Sequence, residues 1–289
     1  STSLPYRLLL RLGTSLAPAV AGVAPRAAAK LRAGVSARIG VRNRLLSWAA
    51  RHRDPARPLL WMHASSVGEG LQAEAVLQRL RSKHPDWQIA YTHFSPSAEA
   101  LARRQPADVA DILPWDRRAD VDAALDALRP TGLVFSKLDL WPELATRAAA
   151  RGTGVGLIAA TVSPGSSRLR WPLRYLLRPG YLAVDRAGAV SEEDAERLSR
   201  LGVGRQKIEI TGDPRFDSAI EKVRAIDPGD PLLRLTRGAP TLVAGSTWPL
   251  DEERLLAAFK LVRESHPDAR LVLVPHEPTP AHLAQLDAA

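Results

Sequence analysis

From residue 58 onward, short apolar runs alternate with helical patterns at intervals of roughly 20 to 30 residues, which is how consecutive βα units read. Strands are predicted near 59–65, 88–93, 109–113, 132–136, 155–160, 187–190 and 208–211. Helices are predicted over 70–83, 97–104, 119–128, 143–151 and 192–201, with Ser191 as an N-cap before Glu192, Glu193 and Asp194. Such a succession folds as an α/β, doubly wound parallel sheet. Ligands of these sheets bind beyond the carboxyl ends of the strands, so the loops there are where chemistry is sought.

A Pro/Asp/Gly-rich stretch, 226–240, reads as a linker, after which the pattern restarts: strand at 241–244, helix at 251–265, strand at 270–275, helix from 281. Two βα units do not bury both faces of a sheet. The expectation is a chain that stops inside a second Rossmann-like domain, giving four segments: 1–57, 58–225, 226–240 and 241–289.

Charge separates the first segment from the rest. The chain carries +9, but residues 1–57 hold eleven Lys and Arg against the single acid Asp54, so the remaining 232 residues are close to neutral. A nucleic-acid binder is expected to carry its basic stripe on the folded body, so no nucleic-acid partner is expected. A basic Ala/Leu/Arg-rich leader fits an anionic membrane surface. Its longest uncharged run, 12–25, has 14 residues and two prolines, short of the ~20 a spanning helix needs. A signal peptide and a solvated charged helix are the competing readings. The chain contains no cysteine, which removes disulfides, thiolate metal sites and a thiol nucleophile.

Trp61-Met-His-Ala-Ser-Ser-Val-Gly-Glu-Gly70 runs from the first strand through a turn into a helix. Glu69 there can be a general base for a hydroxyl nucleophile, with helix N-terminal amides holding an anion. Equally, it can simply favour the positive end of its helix. Lys137-Leu-Asp-Leu-Trp-Pro142 closes the fourth strand; Asp139 can orient a substrate or cap a helix, and Trp141 reads as a packed aromatic in preference to a sugar platform. Arg168, Arg170, Arg174 and Arg178 interleave with Trp171 and Tyr175, a basic stripe able to dock phosphorylated lipid head groups, with a solvated face as the default. Thr211-Gly-Asp-Pro-Arg-Phe-Asp217 is a glycine turn, and Gly245-Ser-Thr247 resembles a phosphate-cradling turn. The seven histidines show no metal-ligand spacing, and no Walker A, G-x-G-x-x-G or G-x-S-x-G motif occurs.

In order, these segments resemble the 3-deoxy-D-manno-octulosonic acid (Kdo) transferases of lipopolysaccharide synthesis. The stretches are Arg38-Ile-Gly40, His63-Ala-Ser-Ser-Val-Gly-Glu69, Asp139-Leu-Trp-Pro142, Val190-Ser-Glu-Glu-Asp-Ala-Glu-Arg197 with Leu201-Gly202, Thr211-Gly-Asp-Pro-Arg-Phe-Asp217, Gly245-Ser-Thr247 and Val274-Pro275. The resemblance covers roughly residues 5 to 280. It implies a GT-B glycosyltransferase of two Rossmann-like domains, with CMP-Kdo as donor, the phosphorylated lipid A precursor (lipid IVA) as acceptor, inversion, and neither metal nor other cofactor. It implies a place on the cytoplasmic face of the bacterial inner membrane, whose anionic surface the leader would contact. Glu69 would be the base; Ser66, Gly68, Asp139, Arg170 and Arg174 would lie on the acceptor side, and Gly212, Gly245, Ser246, Thr247 and His276 on the donor side. The chain departs from the family pattern at Lys137, Asp139, Thr161, Trp248 and Pro275-His276-Glu277-Pro278, as a divergent branch would.

Two rivals remain at this stage. One is another GT-B nucleotide-sugar transferase with a lipid acceptor, which competition by CMP against UDP would separate. The other is a non-catalytic, membrane-associated acceptor-binding module, which would bind lipid without turnover.

Overall fold

The computed structural model describes residues 2, 4–8 and 32–288, and divides into two compact units, 1–221 and 222–289. Residues 4–8 and 32–37 are helical, while the uncharged run 12–25 lies outside the described residues. In the first unit, helix α1 (Val41–His52) precedes β1 (Leu59–His63), α2 (Val67–Lys83), β2 (Gln88–His93), a short helical turn, β3 (Val109–Ile112) and α3 (Arg118–Leu128). Then come β4 (Gly132–Ser136), α4 (Pro142–Ala149), β5 (Gly154–Ala160), α5 (Leu173–Leu182), β6 (Arg186–Ala189), α6 (Glu192–Leu201), β7 (Ile208–Ile210) and α7 (Pro214–Arg224).

The seven strands form one parallel sheet in the order β3-β2-β1-β4-β5-β6-β7. Every residue of β1 and β2 is buried, the signature of strands covered on both faces. Alternation along β1 divides the core. Leu59 and Trp61 face the layer packed by α1, α3, α4 and α6, while Leu60 and Met62 face the layer packed by α2 with Ala73 and Leu77. Helix α2 lies close on that second layer at Gly70, where a Cβ would stand 2.9 Å from the Tyr91 hydroxyl.

Part of the basic leader belongs to this body. Val41, Leu45 and Ala49, spaced four apart, bury one stripe of α1 against the core layer that includes α3. The Arg38 guanidinium lies 4.1 Å from the Phe94 ring centroid and 4.5 Å from that of Trp115, and donates to the carbonyl oxygens of Gly34, Phe94 and Leu113. Its burial lowers its pKa to about 10. Arg44 makes a two-pronged bond to Asp111, both at 2.7 Å. Arg38 and Arg44, counted in the charge of the leader, thus fix it to the body.

The second unit contains β8 (Thr241–Thr247) paired in parallel with β9 (Arg270–Pro275), and helices α8 (Pro249–Ser265) and α9 (Pro280–Asp287). Within the 226–240 stretch, residues Pro231–Leu235 form a 3-10 turn capped by Asp230. Among the described residues, no helix is long and apolar enough to cross a membrane.

Candidate active site at the switch of the first sheet

Strand order reverses between β1 and β4, and at that switch point the chain leaves both strands on the same edge of the sheet. From β1 it turns into α2 through Ser66, whose hydroxyl accepts the Glu69 N–H at 3.4 Å. In return, Glu69 Oε2 accepts the Ser66 N–H at 2.9 Å and the Ser66 hydroxyl at 2.7 Å, completing a capping box. Glu69 therefore does cap its helix. Both bonds fall on Oε2, which holds the half-buried carboxylate in one orientation. Nothing lies within 4 Å of where a Cβ on Gly68 would stand, so the first turn of α2 meets open space there.

From β4 the chain passes Lys137, in the left-handed region at φ 63°, to Asp139. The Ser136 hydroxyl donates to the Glu69 carbonyl at 3.1 Å, fastening this loop to the start of α2. Asp139 pairs with Arg168 at 3.2 Å. Its carboxyl group is held above the ordinary range, first by burial and then by the negative charge of Glu69, against the opposing pull of Arg168 and Lys137. The structure thus brings Ser66, Gly68, Glu69 and Asp139 to one mouth.

Behind that mouth lies a buried polar hub that sequence reading did not assign. His63, the last residue of β1, meets the Thr92 hydroxyl through Nδ1 at 3.0 Å and the Ser65 hydroxyl through Nε2 at 3.0 Å. Trp141 donates its indole N–H to the same Nε2 at 3.2 Å and stacks on Phe94 with centroids 4.9 Å apart. Since an indole only donates, Nε2 carries a lone pair and the imidazole is neutral. Burial lowers its pKa to about 3. Trp141 is a packed aromatic, as expected.

Helix α4 has no local side-chain cap at Trp141. Asp116, from the loop after β3, supplies one instead: its oxygens accept the Glu143 N–H at 2.9 Å and the Leu144 N–H at 2.8 Å. It also accepts the Tyr6 hydroxyl at 2.7 Å, and Glu143 takes Arg7 at 3.3 Å and the Thr2 hydroxyl, docking Thr2, Tyr6 and Arg7 here. Burial is the main cause that raises the Asp116 pKa to about 7.

Arg170, just before α5, and Arg174, in its first turn, are exposed, and Arg174 donates to the Arg200 carbonyl at 3.0 Å. The neighbour that reaches the mouth is Arg168, which sequence reading placed in the stripe without a partner. Gly212 follows β7 in the first unit at φ 74°, and the adjoining Asp213 accepts from Gln72 of α2 at 3.2 Å.

In the second unit, Gly245, Ser246, Thr247 and His276 meet at the carboxyl ends of β8 and β9. Ser246 contacts His276 Nδ1 at 2.8 Å, the His276 N–H bonds the Thr247 carbonyl at 2.9 Å, and Trp248 stacks on His276. Two residues here escaped sequence reading. Glu252, buried, accepts from the Thr247 hydroxyl at 2.8 Å and lies 2.6 Å from His282 Nε2. The i, i+5 spacing from Thr247 to Glu252 on a strand-to-helix turn is the one sequence signal that pairs them. Among the described residues, no group of three or more metal-ligating side chains occurs.

Residues 34–218, from just before α1 into the start of α7, match the family model of 3-deoxy-D-manno-octulosonic-acid transferase. The chain belongs to the Kdo transferase family. Among curated Kdo transferases, the chain is 28% identical over 222 residues to that of Chlamydophila psittaci, covering 75% of this chain and 51% of the relative. It is 24% identical over 223 residues to that of Haemophilus influenzae, covering 76% and 52%. The chain spans about half the length of the curated relatives it matches. Among solved structures, UDP-GlcNAc 2-epimerase from Neisseria meningitidis shares the fold with a TM-score of 0.58 at 13% identity, over 80% of this chain and 68% of that one. The fold is thus α/β of the GT-B type, as the Kdo transferase resemblance implied, and the family's Ser-Val-Gly-Glu and Leu-Trp-Pro stretches are the two loops that meet at the switch point.

Proposed function

We propose that this member of the Kdo transferase family moves Kdo from CMP-Kdo to the phosphorylated lipid A precursor, lipid IVA, with inversion, at the cytoplasmic face of the bacterial inner membrane. The observation that carries the reading is Glu69: a carboxylate fixed by a capping box at the switch point of a Rossmann-like sheet, in the same electrostatic field as Asp139.

In this reading Glu69 takes the proton of the acceptor hydroxyl. The freed oxygen attacks the anomeric carbon of the donor sugar from the face opposite CMP, forming the new C–O bond while the old bond to the phosphate oxygen breaks and CMP leaves with the electron pair. Ser66, the turn at Gly68, and Asp139 held by Arg168 position the acceptor sugar; Arg170 and Arg174 meet its phosphates. Gly245, Ser246, Thr247 and His276 of the second unit take the donor. The basic leader contacts the anionic membrane surface, except where Arg38, Arg44 and the buried stripe of α1 are turned to the sheet. On this reading 58–225 is the acceptor domain, 226–240 the linker and 241–289 part of the nucleotide-sugar domain.

The test is transfer of labelled Kdo from CMP-Kdo to tetraacylated lipid A precursor by membranes carrying the full-length gene product, wild type beside Glu69→Gln. Label on lipid from wild type and none from the variant supports the reading. Wild-type turnover that survives Glu69→Gln removes Glu69 as base. No label from either folded protein removes the reaction.

A further inference from the structure

Between Thr161 and Val184 the sequence holds four arginines, Arg168, Arg170, Arg174 and Arg178, and not one Asp or Glu. The stretch leaves the carboxyl end of β5, the edge of the sheet on which Glu69 and Asp139 lie, and returns through α5 to β6. Its inner face is pinned: Leu176 and Tyr181 are buried, and the Tyr181 hydroxyl bonds the Leu138 carbonyl at 3.3 Å, next to Asp139. Its outer face is not. Six consecutive residues, from Arg170 to Tyr175, are exposed, with Trp171 at 84%, Tyr175 at 60% and Leu173 at 39%. The Arg174 N–H bonds the Arg170 carbonyl at 2.8 Å, so helical register begins at Arg170 and sets Arg170, Arg174 and Arg178 along one line.

We infer that residues 168–182 form a membrane-docking surface that seats on an anionic lipid bilayer. Tryptophan and tyrosine rings with a leucine between them, bordered by arginines, match the chemistry of the head-group layer: amphipathic rings at the boundary and cations among the phosphates. The stretch carries four arginines and no acid of its own, and Arg170, Arg174 and Arg178, which lie beyond the Arg168–Asp139 pair, complement an anionic bilayer surface. The consequence is geometric. Arg168 belongs to this stretch and holds Asp139, so the bilayer surface would lie against the rim of the mouth that contains Glu69, and a lipid-borne acceptor would reach it without leaving the membrane. The surface is distinct from the leader and does not depend on which reaction the protein catalyses.

The chain has no cysteine, so Tyr175→Cys gives a unique position for a polarity-sensitive fluorophore, and Ser82→Cys, exposed in the last turn of α2 at the opposite edge of the sheet, gives the control. Each labelled intact chain is mixed with vesicles of phosphatidylcholine alone or with added phosphatidylglycerol. The expected result is a blue shift at position 175 with the anionic vesicles only, and none at position 82. Replacing Arg170 and Arg174 together by Ala should weaken co-sedimentation by about fivefold per arginine. Chain that co-sediments while the label at 175 keeps its aqueous emission would overturn the inference, leaving attachment to the leader alone. Equal shifts at both positions, or no binding to anionic vesicles, would overturn it as well.

Discussion

Trp141 donates its indole N–H to His63 Nε2 across 3.2 Å, joining the loop that carries Asp139 to the strand that runs into Glu69. The two loops of the mouth are therefore not independently placed. His63 fixes one, Trp141 the other, and Ser136 adds a second tie to the Glu69 carbonyl. Trp141→Phe keeps the stack on Phe94 but deletes the N–H, with an expected stability loss of about 1 kcal/mol. Urea unfolding measures it; Trp141→Phe as stable as wild type would mean that the bond contributes nothing to holding the loops together.

His63 and Asp116 pull stability in opposite directions as pH changes. Unfolded, His63 takes up a proton below about pH 6.5. Folded, its burial keeps it neutral down to about pH 3, so its contribution is lost as pH falls from 6.5 toward 3. Asp116 in the fold binds a proton below about pH 7, whereas the unfolded chain does so only below about pH 4. Its contribution is present at low pH and is lost as pH rises toward 7. Between about pH 4.5 and 6.5 the two slopes cancel. Asp116→Asn should make stability rise more steeply with pH than in wild type, and His63→Gln should do the reverse, each by up to about 1.4 kcal/mol per pH unit. Chemical denaturation at both ends of that window tests it, and slopes that change with the same sign in the two variants would contradict the assignment.

Ser66 and Glu69 share one capping box, yet their variants should behave differently. Ser66→Ala removes the hydroxyl that accepts the Glu69 N–H and should cost about 1 kcal/mol of stability, while leaving a carboxylate at the mouth and hence partial turnover. Glu69→Gln keeps an acceptor oxygen for the Ser66 N–H and should unfold near the wild-type midpoint, with turnover reduced by about 100-fold or more. The comparison needs both readouts on both variants; a Glu69→Gln protein that loses stability and keeps turnover would reassign the residue to capping alone.

The sheet was legible because β1, β2, β4 and β5 are parallel and internal, so burial on both faces writes them as short apolar runs between helices. Helix α1 was not, because its buried stripe is narrow, Val41, Leu45 and Ala49, and arginines whose own partners are distant in sequence surround it. The glycine turn at 211–217 runs into α7, whose residues from Pro214 onward show no buried face to give it a pattern. Glu69 could be placed from local spacing alone, since strand, turn and capping box are contiguous. Asp116 could not: it caps a helix that begins 26 positions later, and nothing near it in sequence resembles a cap. Likewise Arg168 reads as one of four arginines until the fold sets it beside Asp139.

That pairing gives a last prediction. Arg168 and Asp139 are each about one-third exposed, so their ion pair is worth little to stability, on the order of 0.5 kcal/mol. Its effect should appear in turnover, because Asp139 lies in the field of Glu69, and removal of Arg168 takes away the charge that opposes proton uptake by Asp139. Arg168→Ala should therefore shift the acidic limb of the pH profile upward, and Arg168→Ala and Asp139→Asn should each lower kcat/KM by about tenfold. If they act as one unit, the double variant falls no more than about twofold below the worse single. A double variant showing the full product of both losses, with the acidic limb unmoved, would mean that the two side chains serve the acceptor separately.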